Sequence, residues 1–148
     1  MHTTATIRII DAALNRAGEG LRVVEDYVRF VLDDAFLMGQ IKALRHEFAA
    51  SAGRLPSDVR HAARDTMHDV GTAISSPSEA KREDARDACM ASLKRTEQSM
   101  RSLEEYGKII DAEFALEIEA LRYKLYTLEK AIDIGATSRE QLEGVRLC

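Results

Sequence analysis

The chain has 148 residues, a formal net charge of −4 and a hydrophobic fraction of 45%. That is one domain's length, with enough apolar content for a packed core and too much for disorder. Ala, Glu, Lys, Leu and Arg account for 70 residues, and only two prolines and eight glycines interrupt them, which favours long helices over a sandwich or barrel. No apolar run reaches the length of a membrane span. The opening MHTTATIRII lacks a basic segment followed by an apolar one, so a cytoplasmic location is expected. The acidic balance argues against a nucleic-acid binder. Arginine outnumbers lysine 15 to 6, which suits bidentate recognition of phosphate or carboxylate. Cys89 and Cys148 share no motif and indicate neither a disulfide framework nor a zinc site.

In chain order, residues 6–32 read as a long helix. Ala17, Leu21, Val24, Val28 and Val31 form its apolar stripe, with Thr4 or Thr6 as the cap. Asp33-Asp34 marks a break. Residues 35–52 form a second helix with Leu37, Ile41, Leu44 and Phe48 on one face, ending near Gly53. Pro56 opens a short helical turn to about Arg64. Residues 65–81 have no sustained period and form the longest loop, a feature that is often functional in a compact helical domain. Residues 82–110 are a further long helix, with Leu93, Met100 and Leu103 on its apolar side. Asp111 caps the helix 112–133, which carries Phe114, Leu121, Leu125, Leu128 and Ile132 and closes at Gly135. Thr137-x-x-Glu140 is a capping box for a last short helix. The fold class is all-α: one helical bundle over 1–148, with four main helices plus short helical turns.

A shift of 79 residues superposes two of these helices. Arg16-AGEGL-Arg22-VV-Glu25-D-Tyr27 falls on Arg95-TEQSM-Arg101-SL-Glu104-E-Tyr106. The reading is a duplicated helical hairpin with an approximate two-fold relation. Each main helix also carries a small residue, a large apolar one and an arginine: Gly20-Leu21-Arg22, Ala43-Leu44-Arg45, Ser99-Met100-Arg101 and Ala120-Leu121-Arg122. These arginines lie at the edge of the buried stripes, where they can converge on an anion. Asn15, Glu19, Arg22, Asp26 and Arg29 share one face, and Lys94, Gln98, Arg101, Glu105 and Lys108 the matching one. If the faces meet, Arg22 approaches Glu104 and Arg101 approaches Glu25. Arginine with carboxylate suits a phosphate and magnesium site. The same stripes also read as solvated faces with weak ion pairs. Tyr27 and Tyr106 read as packing at the core edge.

The loop Arg64-Asp65-Thr66-x-x-Asp69-Val70-Gly71-Thr72 offers two carboxylates, two hydroxyls, an arginine and a glycine. It reads either as a site for nucleotide phosphate with Mg²⁺ or as a capped turn in which Asp65 or Asp69 bonds local backbone. There is no P-loop, and Gly18-Glu-Gly20 lies inside a helix, so it is no dinucleotide fingerprint. His2, His46, His61 and His68 have no ligand spacing. His46 reads as a partly buried, satisfied side chain, and His61 and His68 as surface residues. No signature of acyl-transfer chemistry is present.

Taken in order and spacing, RIIDAALNRAGEGLRVVEDYVRFVLDD, ALRHEF, RDTMHDVGT, KRTEQSMRSLEEYGK and EALRYKLYTLEKA resemble a helical family of thiamine biosynthesis. This is the monofunctional hydroxymethylpyrimidine phosphate kinase family, found alone or fused ahead of thiamine phosphate synthase. The resemblance covers about residues 7–133. It implies transfer of the γ-phosphate of ATP, with Mg²⁺, to hydroxymethylpyrimidine phosphate. The motifs carried over, with roles assigned by chemistry, are as follows. Asn15, Arg16 and Arg22, with Lys94, Arg95 and Arg101, hold the donor and acceptor phosphates, joined by Arg45 and Arg64. Asp65 and Asp69 hold Mg²⁺, with Thr66, Gly71 and Thr72 at the phosphates. Glu25 and Glu104 orient the arginines or serve the metal.

The length leaves no room for the (β/α)₈ barrel of fused members, and residues 137–148 read as the start of a linker or as a terminus. The competing reading is a non-catalytic helical module that binds a pathway intermediate or docks onto thiamine phosphate synthase. A homo-oligomer is expected. Which repeat takes ATP stays open at this level.

Overall fold

The computed structural model describes residues 3–147, with side chains to Val145. Among them all regular structure is helical: α1 (Thr4–Tyr27), α2 (Ala35–Ala52), α3 (Ser57–Ala63), α4 (Ala85–Ile110) and α5 (Ala112–Leu147). Cys148 and His2 lie outside the described residues. None of these helices is long and apolar enough to cross a membrane.

Local chemistry sets most boundaries. The cap of α1 is Thr3 rather than Thr4 or Thr6, its hydroxyl accepting from the Thr6 N–H at 3.1 Å. The helix widens into a π-turn over Val28–Leu32 and stops at Asp33, whose φ is 51°, a left-handed conformation that aspartate tolerates better than most side chains. Asp34 then caps α2, accepting from the Leu37 N–H at 2.9 Å. Asp84 caps α4 by accepting from the Asp87 N–H at 2.8 Å, so that helix begins at Ala85 and not at residue 82. Asp111 separates α4 from α5 and accepts from the N–H groups of Glu113 and Phe114 at 3.0 and 3.3 Å. The long loop holds one short 3₁₀ turn, Pro77–Ala80, with a capping box at Ser76.

One boundary differs from expectation. Gly135 does not close the last helix, and Thr137-x-x-Glu140 does not start another: α5 runs on to Leu147. A helical glycine costs only about 1 kcal/mol, and tertiary contacts outweigh it. Ile132 and Ala136 are buried. Arg86 of α4 reaches Asp133 at 2.8 Å, Thr137 at 3.0 Å and Glu140 at 2.8 Å, tying successive turns to α4. The Thr137 hydroxyl and Glu140 carboxylate are thus engaged by an arginine instead of by backbone N–H groups.

The core lies where α1 meets α4, α4 meets α5 and α2 bridges α1 to α5. Every stripe residue expected on α2 is buried, as are Ala17, Leu21, Val24 and Val28 on the first helix. The α1–α4 contact is close because its residues are small. A Cβ built on Gly20 falls 2.1 Å from the Thr96 hydroxyl oxygen and 3.2 Å from the Ser92 carbonyl. Thr96 cannot simply turn away, because its hydroxyl donates to that carbonyl at 2.7 Å. Gly20→Ala is therefore expected to destabilise the fold by about 1–3 kcal/mol, the usual cost of overpacking. Urea unfolding should show a lower midpoint with an unchanged slope.

Candidate functional site

Arg64, just after α3, turns the chain back over α1. Its guanidinium donates to both oxygens of Asp11 at 2.8 and 2.9 Å. Asp11 is buried on α1, and a buried carboxylate requires such partners. Arg60 stands 3.7 Å away. The two-pronged pairing fixes the loop in register with α1. Arg64, expected at a phosphate, thus first positions the loop. Below it lies a cleft of about 450 Å³ lined by Arg8, Asn15, Arg16, Asp65, Thr66 and Asp69. The structure therefore gathers Asn15, Arg16, Asp65, Thr66 and Asp69, which the sequence had marked on two separate segments. Arg16 is exposed and, among the described residues, is tied to no carboxylate.

Gly71 and Thr72 do not join them. The Gly71 N–H donates to the Asp69 carboxylate at 2.8 Å, and the Thr72 hydroxyl donates to the Asp69 carbonyl at 3.0 Å. The His68 N–H donates to Asp65 at 3.2 Å, and its ring nitrogen Nδ1 lies 2.9 Å from the same oxygen. The loop tip is thus a capped turn, and its carboxylates border the cleft from that turn.

Arg22 and Arg101 do not reach each other's helix. Glu25, buried on α1, accepts from Arg45 of α2 at 2.7 Å and from Arg22 at 3.5 Å. Glu104, buried on α4, accepts from Arg122 of α5 on both oxygens and from Arg101 at 3.4 Å. The expected pairs Arg22–Glu104 and Arg101–Glu25 are absent: α1 and α4 meet through Gly20 against Thr96 and Ser92, and each glutamate takes its partners from its own helix and from α2 or α5. The arginines lie on the flanks, towards α2 and α5. Glu25 and Glu104 are each paired with arginine. Where α1 and α4 diverge, Arg16 and Arg95 line one hollow of about 490 Å³ with Glu19, Gln98 and Ser99. His46 is exposed rather than partly buried. Tyr27 is buried, and Tyr106 is 39% exposed.

Lys94 is held by Glu129 of α5 at 3.1 Å and Glu97 at 3.3 Å. Glu97 is buried on α4. Burial, then the neighbouring Glu129, pushes its carboxyl from the ordinary 4.5 up to about 7 against the pull of Lys94. One oxygen each of Glu97 and Glu129 is buried without a hydrogen-bond partner, a setting that favours Glu97 with its proton on. The folded state keeps that proton where the unfolded chain releases it. The stability so contributed is full below pH 4.5 and is lost as pH rises through about 7. Glu97→Gln should remove this decline, with the variant gaining on the parent from pH 5 to pH 8 in urea midpoints.

No group of three or more acidic, histidine or cysteine side chains among the described residues forms a metal cage. Magnesium needs none, since it is commonly held by one or two carboxylates together with substrate phosphates. Asp65 and Asp69 on the rim of one cleft match that pattern. Sequence reasoning missed Arg8, Asp11 and Arg60. The available signal was Asp11 itself, a carboxylate inside the apolar run Ile9-Ile10-Asp11-Ala12-Ala13-Leu14, since a charge buried there demands a cationic partner.

Fold and clefts define an all-helical domain with arginine-lined hollows around its first helix. The chain belongs to the ThiD2 family, whose match covers residues 8–131. It is 41% identical over 142 residues to the thiamine-phosphate synthase of Rhodopirellula baltica, covering 93% of this chain and 38% of that protein. It is 40% identical over 142 residues to that of Thermosynechococcus vestitus, covering 95% of this chain and 39% of the relative. With the synthase of Synechocystis sp. the identity is 44% over 140 residues, covering 95% and 39%. The chain thus spans about two fifths of the length of these relatives. No solved structure matches it.

Proposed function

We propose that the chain acts in thiamine biosynthesis as a kinase that carries the γ-phosphate of ATP to hydroxymethylpyrimidine phosphate, within a fold made of a duplicated helical hairpin. The observation that carries this reading is the α1–loop cleft, where Arg8, Arg16 and Asn15 face Thr66, Asp65 and Asp69. An oxygen of the acceptor's phosphate attacks the γ-phosphorus. The bond to the β-bridging oxygen breaks, and ADP leaves with the electron pair. The acceptor is already an anion and needs no strong base, so the protein's work is positioning and charge neutralisation. Asp69 and Asp65 would hold Mg²⁺, which would supply charge compensation for the phosphates. Arg16 and Arg8 meet the phosphate oxygens, and Arg64 holds the loop against α1.

The test is incubation with ATP, Mg²⁺ and hydroxymethylpyrimidine phosphate, coupled to a thiamine phosphate synthase. Product formation, lost in Asp69→Ala, supports the kinase. Absence of product, with no Mg²⁺-dependent thermal shift by ATP, overturns it. The second reading, a non-catalytic module that binds an intermediate or docks onto the synthase, draws on the local hydrogen bonds of Asp65 and Asp69. It predicts a thermal shift by the pyrimidine phosphate without turnover.

A further inference from the structure

The two repeats agree in framework and differ in what fills them. With a shift of 79 for α1 onto α4 and 77 for α2 onto α5, Glu25 matches Glu104, Arg45 matches Arg122, Asp34 matches Asp111 and Phe48 matches Leu125. Both matched glutamates are buried, and each takes its strongest partner from the matched arginine. Beside this shared frame, four positions have changed character. Asn15, Gly18, Ala49 and Ala52 of the first repeat stand where the second has Lys94, Glu97, Tyr126 and Glu129.

In the second repeat those side chains fill the space, with one buried oxygen each of Glu97 and Glu129 left without a hydrogen-bond partner. Lys94 bonds both carboxylates, and the Arg122 guanidinium lies over the rings of Tyr123 and Tyr126, 5.0 and 5.7 Å from their centroids. An aromatic ring on the arginine and anionic groups beside it therefore complete this frame. In the first repeat the small residues leave an open groove of about 840 Å³, bordered by Asn15, Gly18, Arg22, Arg45, Ala52 and Arg60. The helix α3 supplies Arg60, whose Nε is buried and has no hydrogen-bond partner. A Cβ on Gly18 would meet nothing within 4 Å, so packing against the protein does not require glycine there.

We infer that this groove is the acceptor site: it takes a small phosphomonoester bearing an aromatic ring, the ring on Arg45 and the phosphate towards Asn15, Arg22 and Arg60, in the places that Tyr126 and the two glutamates take in the second repeat. The inference rests on the kinase reading for the name of the acceptor. It also gives the two repeats different tasks: the first holds the reactants, and the second is closed by its own side chains. Asn15 borders both this groove and the α1–loop cleft, so the donor phosphates in the cleft and the acceptor in the groove meet at one residue of α1.

The test transplants the second repeat's filling into the first. Calorimetric titration of hydroxymethylpyrimidine phosphate, without ATP, should show binding to the parent chain. Gly18→Glu should weaken it at least tenfold while keeping the Mg²⁺-dependent thermal shift by ATP. Ala52→Glu, on the opposite wall, should do the same and serves if Gly18→Glu fails to fold. Gly39→Glu, at another open helical glycine outside the groove, should bind as the parent does. Unchanged affinity in a folded Gly18→Glu or Ala52→Glu overturns the assignment. If the parent forms no pyrophosphate, the kinase reading fails on its own, and benzyl phosphate then decides the groove. Binding of benzyl phosphate that Gly18→Glu abolishes supports a site for aromatic phosphomonoesters. Binding of neither probe at millimolar concentration overturns it.

Discussion

Arg122→Ala is expected to be the most destabilising single substitution discussed for this protein. Glu104 is 1% exposed on α4, and Arg122 of α5 covers both its oxygens. Removing the guanidinium leaves a buried carboxylate with only Arg101 at 3.4 Å, and Arg101 is 55% exposed and shared with Glu105. Breaking a buried pair from one side costs about 3–5 kcal/mol. For a domain of this size that lowers the melting temperature by roughly 10 °C or more. The double variant Arg122→Met with Glu104→Leu should recover most of the loss, because apolar replacement of both partners removes the uncompensated charge. A double variant as unstable as Arg122→Ala would mean that the arginine acts through packing of its stem, not through the carboxylate. The matched change Arg45→Ala should be milder. Arg45 is 24% exposed against 13% for Arg122, and the open groove beside it admits water to Glu25.

Helix existence, the interhelical breaks and the core were legible in the sequence for a local reason. Periodic apolar residues mark a buried stripe, and Asp34 and Asp111 follow the same capping chemistry in the structure that their side chains suggest in isolation. Where the reading failed, a distant partner outweighed a local pattern. Gly135 and Thr137-x-x-Glu140 form a stop and a start by local rules, yet Arg86 reaches across from α4 and holds α5 straight through them. Each arginine meets the glutamate of its own helix, and the expected pairs Arg22–Glu104 and Arg101–Glu25 failed because periodicity does not say which faces meet. That information lies in residue size: Gly20 on α1 leaves no room for a Cβ beside Thr96 and Ser92 on α4, and small residues mark the close contact. The site was legible in part. Asn15, Arg16 and the Asp65–Asp69 loop were recognisable as chemistry, while the link that assembles them, Asp11 to Arg64, spans 53 residues and has no local signature.

Arg16→Ala should be the counterpart of Arg122→Ala, a large loss of activity with almost none of stability. Arg16 borders both the α1–loop cleft and the hollow between α1 and α4. Its side chain is exposed and holds no ion pair among the described residues, so no buried group is orphaned by its removal, and surface changes of this kind usually leave stability nearly unaltered. On the kinase reading, an unpaired guanidinium at this cleft is free to meet charge that develops on the transferred group. Loss of one such preorganised donor typically costs a factor of about 10²–10³ in turnover. In the kinase assay kcat/KM should fall by that factor, with kcat bearing most of the loss if the contact strengthens as the phosphoryl group moves. Arg16→Lys should restore only part of it, since an ammonium cannot present the planar fork to two oxygens. Arg95 borders the α1–α4 hollow but not the α1–loop cleft, so Arg95→Ala should lose far less. Equal losses at Arg16 and Arg95 would instead place the donor phosphates in the hollow between α1 and α4 that both arginines line.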